Sequence, residues 1–291
     1  MYLFADDTKI FKIIENKNHC IELQEDLDIM CNWSDTWLLR MHPDKCKHMR
    51  IGKETSKHQE HLDHAAYNLK GRNLQTTTKE KDIGVTIDSD LSFDKHICQK
   101  VKKANSMFAL LRRTFQFMDL KSFVPLYKCL VRSQLDYASP VWSPYLCKHV
   151  DMIEGVQRRA TKCLPGMKDL DYMDRLKKIK LPTLAFRRVR GDMIELYKIV
   201  NGVYNKECCN ALSLWEEASQ RHSCRGNSKK IYPKRATCTL RKNNFYIRTV
   251  KIWNSLPESI VSATSINAFK NAIDNHWNNQ ELVYNYKAEI T

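Results

Sequence analysis

The sequence predicts an α+β fold, and three observations predict it. Two short apolar runs, Tyr2–Phe4 and then Ile10, Phe11, Ile13 and Ile14, flank the adjacent carboxylates Asp6 and Asp7 at the start of the chain. Two further strand-like stretches follow, residues 44–52 and 82–88, the first with side chains that alternate between two faces. Beyond Ser92 the apolar residues instead recur every three or four positions, the period of helices that bury one side.

Taken in order, Asp6 and Asp7 sit where a hairpin turn would lift charge out of a sheet. Two like charges held together repel by roughly 1 kcal/mol in water at about 4 Å, and by several at a protein surface. Such a pair is either a cation site or an ordinary solvated Asp-containing turn. Cys20, Leu23, Leu27, Met30, Cys31, Trp37 and Leu38 then recur at helical spacing and leave Glu22, Glu25 and Asp26 outside. In the strand over 44–52, Lys47, Met49 and Ile51 share one face, with Cys46, His48 and Arg50 on the other. Residues 53–66 are polar, His-rich and aperiodic, the composition of a loop. Residues 82–88 read as one strand with Gly84 at a bulge or close backbone approach.

Ile97, Val101, Ala104, Phe108 and Leu111 predict a helix whose remaining surface carries Lys95, Lys102, Lys103, Arg112 and Arg113. A second helix is expected over about 120–135, carrying Phe123, Leu126, Tyr127, Leu130 and Val131, with Pro140 and Pro144 punctuating the chain around Trp142. A third, over 151–164, would place Ile153, Val156, Ala160 and Cys163 inside and Arg158, Arg159 and Lys162 outside. A fourth runs over about 183–200 and stops at Gly202, and Ser265 caps a last one that carries Phe269, Ile273 and Trp277.

The chain has 291 residues, 43% of them hydrophobic, enough for a sizeable core in one or two domains. It has no apolar run of membrane-spanning length and no basic segment leading into an apolar one. The expectation is a protein inside the cell, in cytoplasm or nucleus, neither secreted nor membrane-bound. Eleven cysteines invite a zinc reading, but Cys46 with His48, the adjacent Cys208 and Cys209, His222 with Cys224, and the His58, His61, His64 series give no four-ligand spacing. Scattered buried thiols are the better reading. The formal net charge is +15 with a pI near 9.3, which calls for an anionic partner. Between Arg221 and Lys251 stand ten Lys or Arg and no Asp or Glu, among them Lys229, Lys230, Lys234, Arg235, Arg241 and Lys242, interleaved with Tyr232, Phe245 and Tyr246. That pattern suits a phosphate backbone with stacking, or else a flexible basic linker.

Phe4–Asp7, FADD, resembles the YADD-type box of reverse transcriptases. Six blocks follow in the order found in non-LTR retrotransposon enzymes of the jockey-like LINE type: NWSDTWLLRM, DKCKHMRIGK, KDIGVTIDSDLSFDKHI, LVRSQLDYASPVWSP, RRVRGDMIELYKIVNG and IRTVKIWNSLPESIV. The resemblance spans about nine tenths of the chain. It implies a partial palm over 1–91 from the last catalytic strand onward, a helical thumb-like domain over 92–202, and a basic C-terminal region over 203–291 that ends in a short helix. It further implies RNA and DNA as template-primer partners, catalytic metal-ligating roles for Asp6 and Asp7, and Mg2+ as cofactor of a complete parent enzyme. Ile83 and Val85 would lie near the primer grip, and the first helix would pack on the palm sheet.

In that family a further Asp stands on an earlier strand, beyond the five residues that precede Asp6 here. The metal site is therefore expected to be incomplete, and the chain inactive and without a cofactor of its own unless an upstream reverse transcriptase portion joins it. Two other readings compete: a non-catalytic module that grips a duplex or RNA backbone through basic helices, and a structural protein for which the charge is incidental. RRVRGDMI reads as packing around a partly buried ion pair, and WNSLP as a docking element with no nucleophile and base.

Overall fold

The computed structural model describes residues 1–39, 41–52, 66–115, 117–205, 212–215 and 226–290. His58, His61, His64, Cys208, Cys209, Arg221, His222 and Cys224 lie outside them. The chain divides into two compact units, residues 1–92 and 93–291. Both strand and helix are present, in keeping with an α+β class.

In the first unit, β1 (Tyr2–Phe4) and β2 (Asp7–Lys9) pair antiparallel with Phe4 opposite Asp7, so Asp6 occupies the turn and Asp7 opens the return strand. Helix α1 (Lys17–Thr36) starts where the Asn16 side chain accepts from the His19 N–H at 3.0 Å. Cys31 is buried and Cys20, Leu23, Leu27 and Met30 are half-buried, as the spacing requires. Trp37 and Leu38, expected on the same face, are 65% and 86% exposed. The helix has already ended at Thr36, and Leu38 at φ 56° turns the chain away. Gln24 anchors α1 to β4 (Asn68–Leu69), accepting from Asn68 N–H at 2.8 Å and donating to its carbonyl at 2.9 Å. The ribbon continues through β5 (Arg72–Asn73), antiparallel to β4.

Two strand expectations change. The stretch over 44–52 shortens to β3 (Lys47–His48), parallel to β6 (Gln75–Thr76), because Pro43 opens a 3-10 turn through Lys45. The single strand over 82–88 is instead a hairpin of β7 (Lys79–Asp82) and β8 (Val85–Asp88). Ile83 and Gly84 form its two-residue turn, both at positive φ (40° and 78°), the geometry that matches strand twist. Gly84 therefore serves the turn rather than a bulge.

The second unit is helical. Helix α2 (Asp94–Thr114) buries Ile97, Val101, Ala104, Phe108 and Leu111. The expected helix over 120–135 is interrupted: α3 (Leu120–Leu126) passes into a π-helical turn, Tyr127–Arg132, and then α4 (Ser133–Asp136). Pro125 lacks the N–H that would bond back into the preceding turn, and the wider turn follows directly. Phe123, Tyr127, Val131 and Leu135 are all buried through it, while Leu130 is left exposed. After α5 (Ser139–Trp142), α6 (Cys147–Lys162) buries Ile153, Val156 and Ala160, but Cys163 follows the helix end and is exposed.

Helix α7 (Tyr172–Ile179) leads to α8 (Leu184–Val200), which the Thr183 hydroxyl caps at 3.1 Å and Gly202 follows at φ 68°. Short helices α9 (Thr239–Lys242), α10 (Phe245–Arg248), α11 (Val250–Ser255) and α12 (Glu258–Val261) precede α13 (Ile266–His276), capped by Ser265. Phe186, Met193, Leu196 and Tyr197 of α8 pack there with Trp253, Leu256, Phe269, Ile273 and Trp277 in one core cluster. Tyr197 stacks on Phe269 with centroids 4.4 Å apart.

Candidate nucleic-acid interface

A helix turns 100° per residue, so Lys95, Lys102 and Arg113 fall within roughly 20° of a single line along α2, spaced about 10 and 17 Å apart. That line runs opposite the five buried apolar residues. Lys103 and Arg112 flank it on either side, and all five cations are exposed. Asp94 secures the start of the helix, with His149 Nε2 at 2.9 Å and Lys148 Nζ at 3.2 Å. From α6, Arg159 donates to Asn105 Oδ1 at 3.0 Å, and Arg158 lies over the Tyr286 ring at 5.9 Å. These two arginines are thus exposed but already engaged in holding α6 in place.

The basic C-terminal stretch is clamped rather than loose where it is described. Asn227 is buried and donates to the Trp253 and Leu256 carbonyls at 3.2 and 2.9 Å. The Asn254 amide brackets Ile231, accepting from its N–H at 2.9 Å and donating to its carbonyl at 2.8 Å, and Trp253 Nε1 donates to the Lys229 carbonyl at 2.8 Å. WNSLP is therefore the socket into which this segment docks. Lys229 donates to Asn201 Oδ1, while Lys230 is half-buried and Lys234, Arg235, Arg241 and Lys242 are exposed. Tyr232 rests against Trp215, and Phe245 against Tyr246 and the Arg248 guanidinium.

Charge is divided as sharply as structure. Residues 1–92 hold 13 Lys and Arg against 16 Asp and Glu, and residues 93–291 hold 35 against 17. The excess of positive charge therefore resides in the second unit.

Asp6 and Asp7 are exposed at the tip of the β1–β2 ribbon, and the neighbouring Lys9 pairs with Asp82. Among the described residues no group of three or more His, Cys, Asp or Glu is placed to hold a metal ion. Two exposed carboxylates do not make up the oxygen ligands that a pair of divalent cations requires, so the described residues do not fit a two-ion centre.

The chain is similar to the RNA-directed DNA polymerase of the mobile element jockey. It is 25% identical to the Drosophila funebris protein over 175 residues and 25% identical to the Drosophila melanogaster protein over 171, in each case 56% of this chain. It spans 18% of the length of each. An uncharacterized protein of Caenorhabditis elegans is 24% identical over 139 residues, 46% of this chain and 69% of its own length. No family model and no solved structure matches. The relationship to a transposable-element polymerase is thus distant and partial.

Beside the exposed cations, the chain carries an ionic network, buried at Glu154, Arg188 and Asp192, that its sequence only hinted at. Arg187 donates to Asp136 at 3.0 and 2.8 Å, Arg190 to Asp274 at 2.5 and 2.7 Å, and Arg248 to both oxygens of Asp192 at 3.0 Å. The Glu154 carboxylate accepts from Tyr172 Oη at 2.6 Å and from Leu184 N–H at 3.1 and 3.2 Å, at the start of α8. Burial pushes the Glu154 and Asp192 carboxyls up and the enclosed Arg188 guanidinium down, against the attraction among them. RRVRGD announced ion pairing. Its partners lie 51, 84 and 56 residues away, at Asp136, Asp274 and Arg248, where no sequence spacing could mark them. The network joins α8 to α4, α10 and α13 and carries no nucleophile, so its role is packing.

Proposed function

We propose that this chain is part of an RNA-directed DNA polymerase of a jockey-like, LINE-type mobile element and that it contacts the template-primer through its second unit. The similarity to two jockey polymerases carries the reading. The FADD residues on a hairpin tip and the basic line along α2 support it. In this assignment the first unit is the closing part of a palm, the α2 region a thumb, and residues 203–291 a basic extension, all acting inside the cell. Asp6 and Asp7 are two ligands of a Mg2+ centre that other polymerase segments complete, and the chain by itself incorporates no nucleotide.

Primer extension on an RNA template with Mg2+ tests the assignment. No incorporation by this chain is expected, and measurable extension would sink the claim of an incomplete centre. The excess of cations in the second unit favours a second reading, a module that binds nucleic acid without catalysis. Both readings require duplex affinity that falls steeply with salt as phosphates are neutralised, and a flat response removes both. They part when the remainder of a jockey polymerase is added: restored extension selects the first, continued silence the second.

A further inference from the structure

We infer that the second unit carries a binding site for a 5′-phosphorylated nucleotide, in a cleft between α8 and α13 that uses neither Asp6 and Asp7 nor the cations of α2. The cleft has a volume of about 350 Å³, at the lower end of the range for small-molecule sites, which suits one nucleotide rather than a stretch of strand. Its walls are fixed by hydrogen bonds. Thr183, which caps α8, donates its N–H to the Val283 carbonyl at 2.8 Å and its hydroxyl to the Leu282 carbonyl at 2.6 Å. Pro182 and Val283 are thereby held together as an apolar wall. Phe186 of α8 meets Trp277, at the end of α13, edge to face with centroids 6.0 Å apart, and the two rings form the floor.

The polar lining consists of donors that lack acceptors. Trp142, Trp253 and Trp277 are all almost fully enclosed. The indoles of Trp142 and Trp253 donate to the Tyr137 and Lys229 carbonyls, each at 2.8 Å. The Trp277 indole donates to no described residue, although the side chain is only 1% exposed. Its nitrogen is not sealed from solvent, so that remaining access is through the cleft it lines. A donor enclosed without an acceptor is a cost that a bound acceptor removes. Arg187 and Arg190, about one helical turn apart on α8, direct Nε and Nη2 at Asp136 and Asp274, and in each fork Nη1 bonds to no described residue.

Asp274, the carboxylate of the lining, already has both oxygens on Arg190. The matching occupant is therefore an oxyanion with several acceptors, and a phosphate offers them in the geometry that guanidinium groups favour. The rest of the ligand has to lie flat against the Pro182–Val283 wall and offer hydrogen-bonding groups at its edge to the exposed Asn278 amide. A nucleobase does both. Because each arginine is paired with an aspartate, binding rests on directed hydrogen bonds to a single phosphate and should vary only weakly with salt.

The test follows the six indole signals of the full chain, isotope-labelled at tryptophan, by NMR. The Trp277 signal is identified by its loss in Trp277→Phe. Adenosine monophosphate should move that signal downfield, saturably, with a dissociation constant of roughly 1 mM or tighter. Adenosine and inorganic phosphate, each half of the ligand, should bind at least roughly tenfold more weakly, and so should the monophosphate to Arg190→Lys, which keeps the charge opposite Asp274 but loses the fork. Asn278→Ala, at an exposed position, should weaken the monophosphate several-fold and leave inorganic phosphate unchanged.

No saturable movement of the Trp277 signal overturns the inference, as does movement by adenosine or by phosphate equal to that by the monophosphate. Undiminished binding in Arg190→Lys overturns it too. If that variant unfolds, seen as collapse of the dispersed indole signals, Asn278→Ala decides in its place. A short RNA strand with and without a 5′-phosphate identifies the source: competition by the phosphorylated strand alone points to a strand end, and competition by neither to a free nucleotide, each in support of the site. Lys102→Glu combined with Arg113→Glu should lower duplex affinity and leave the response to the monophosphate intact. Duplex binding that persists while the cleft stays silent removes the cleft alone.

Discussion

Arg248 donates to both oxygens of Asp192 and, beyond them, to the carbonyls of Pro140 and Asn243 at 2.9 and 3.0 Å. Replacing it with Met strands a buried carboxylate, and the expected cost is about 3 kcal/mol or more in urea unfolding. Adding Asp192→Leu should recover much of that loss, because the stranded charge is then gone. His96 is buried against Trp142. Burial, with Lys100 nearby, pushes its imidazole down to about 4 from 6.5.

Between those values the unfolded chain binds the proton and the folded chain does not. The contribution of His96 to stability is therefore whole above pH 6.5 and is lost as pH falls toward 4. Melting curves of His96→Phe should show a flatter acid limb across that interval than the parent. At the ribbon tip, Asp6→Asn with Asp7→Asn is expected to leave the melting temperature unchanged or slightly higher in the presence of Mg2+, since repulsion is relieved. A large fall on that change would reveal a bound ion.

At the scale of elements, α2 was legible because five apolar residues step by three and four along a single face and the cations take what is left. The consequence is quantitative: Lys95→Glu, Lys102→Glu and Arg113→Glu together should lower the log-log salt slope of duplex binding by about three, one unit per phosphate contact. Elsewhere local rules competed. Ile83–Gly84 sits in a run whose β-branched residues suggest one strand, yet the positive φ that Gly readily supplies turns it into a hairpin. Pro125 was visible in the sequence, but the π-helical turn it precedes depends on how Tyr127 and Val131 reach the core, which only packing decides. Trp37 and Leu38 matched the period of α1 and failed because period says nothing of where a helix stops. The FADD hairpin was readable from turn chemistry.

For the whole molecule, composition gave a single figure, a net charge of +15, and the structure splits it into a slightly acidic unit and a strongly basic one. No window of sequence shows where that division falls until the units are known. Apart from the half-buried Trp215, the indole groups divide in the same way: Trp33 and Trp37 of the first unit are exposed, while Trp142, Trp253 and Trp277 of the second are among its most deeply buried side chains. Intrinsic fluorescence therefore has an exposed group of emitters in the first unit and a mostly buried group in the second. Acrylamide or iodide should extinguish the red-shifted emission of the first unit well before the blue-shifted emission of the second, and a titrant that shields only the former betrays which half of the molecule it has met.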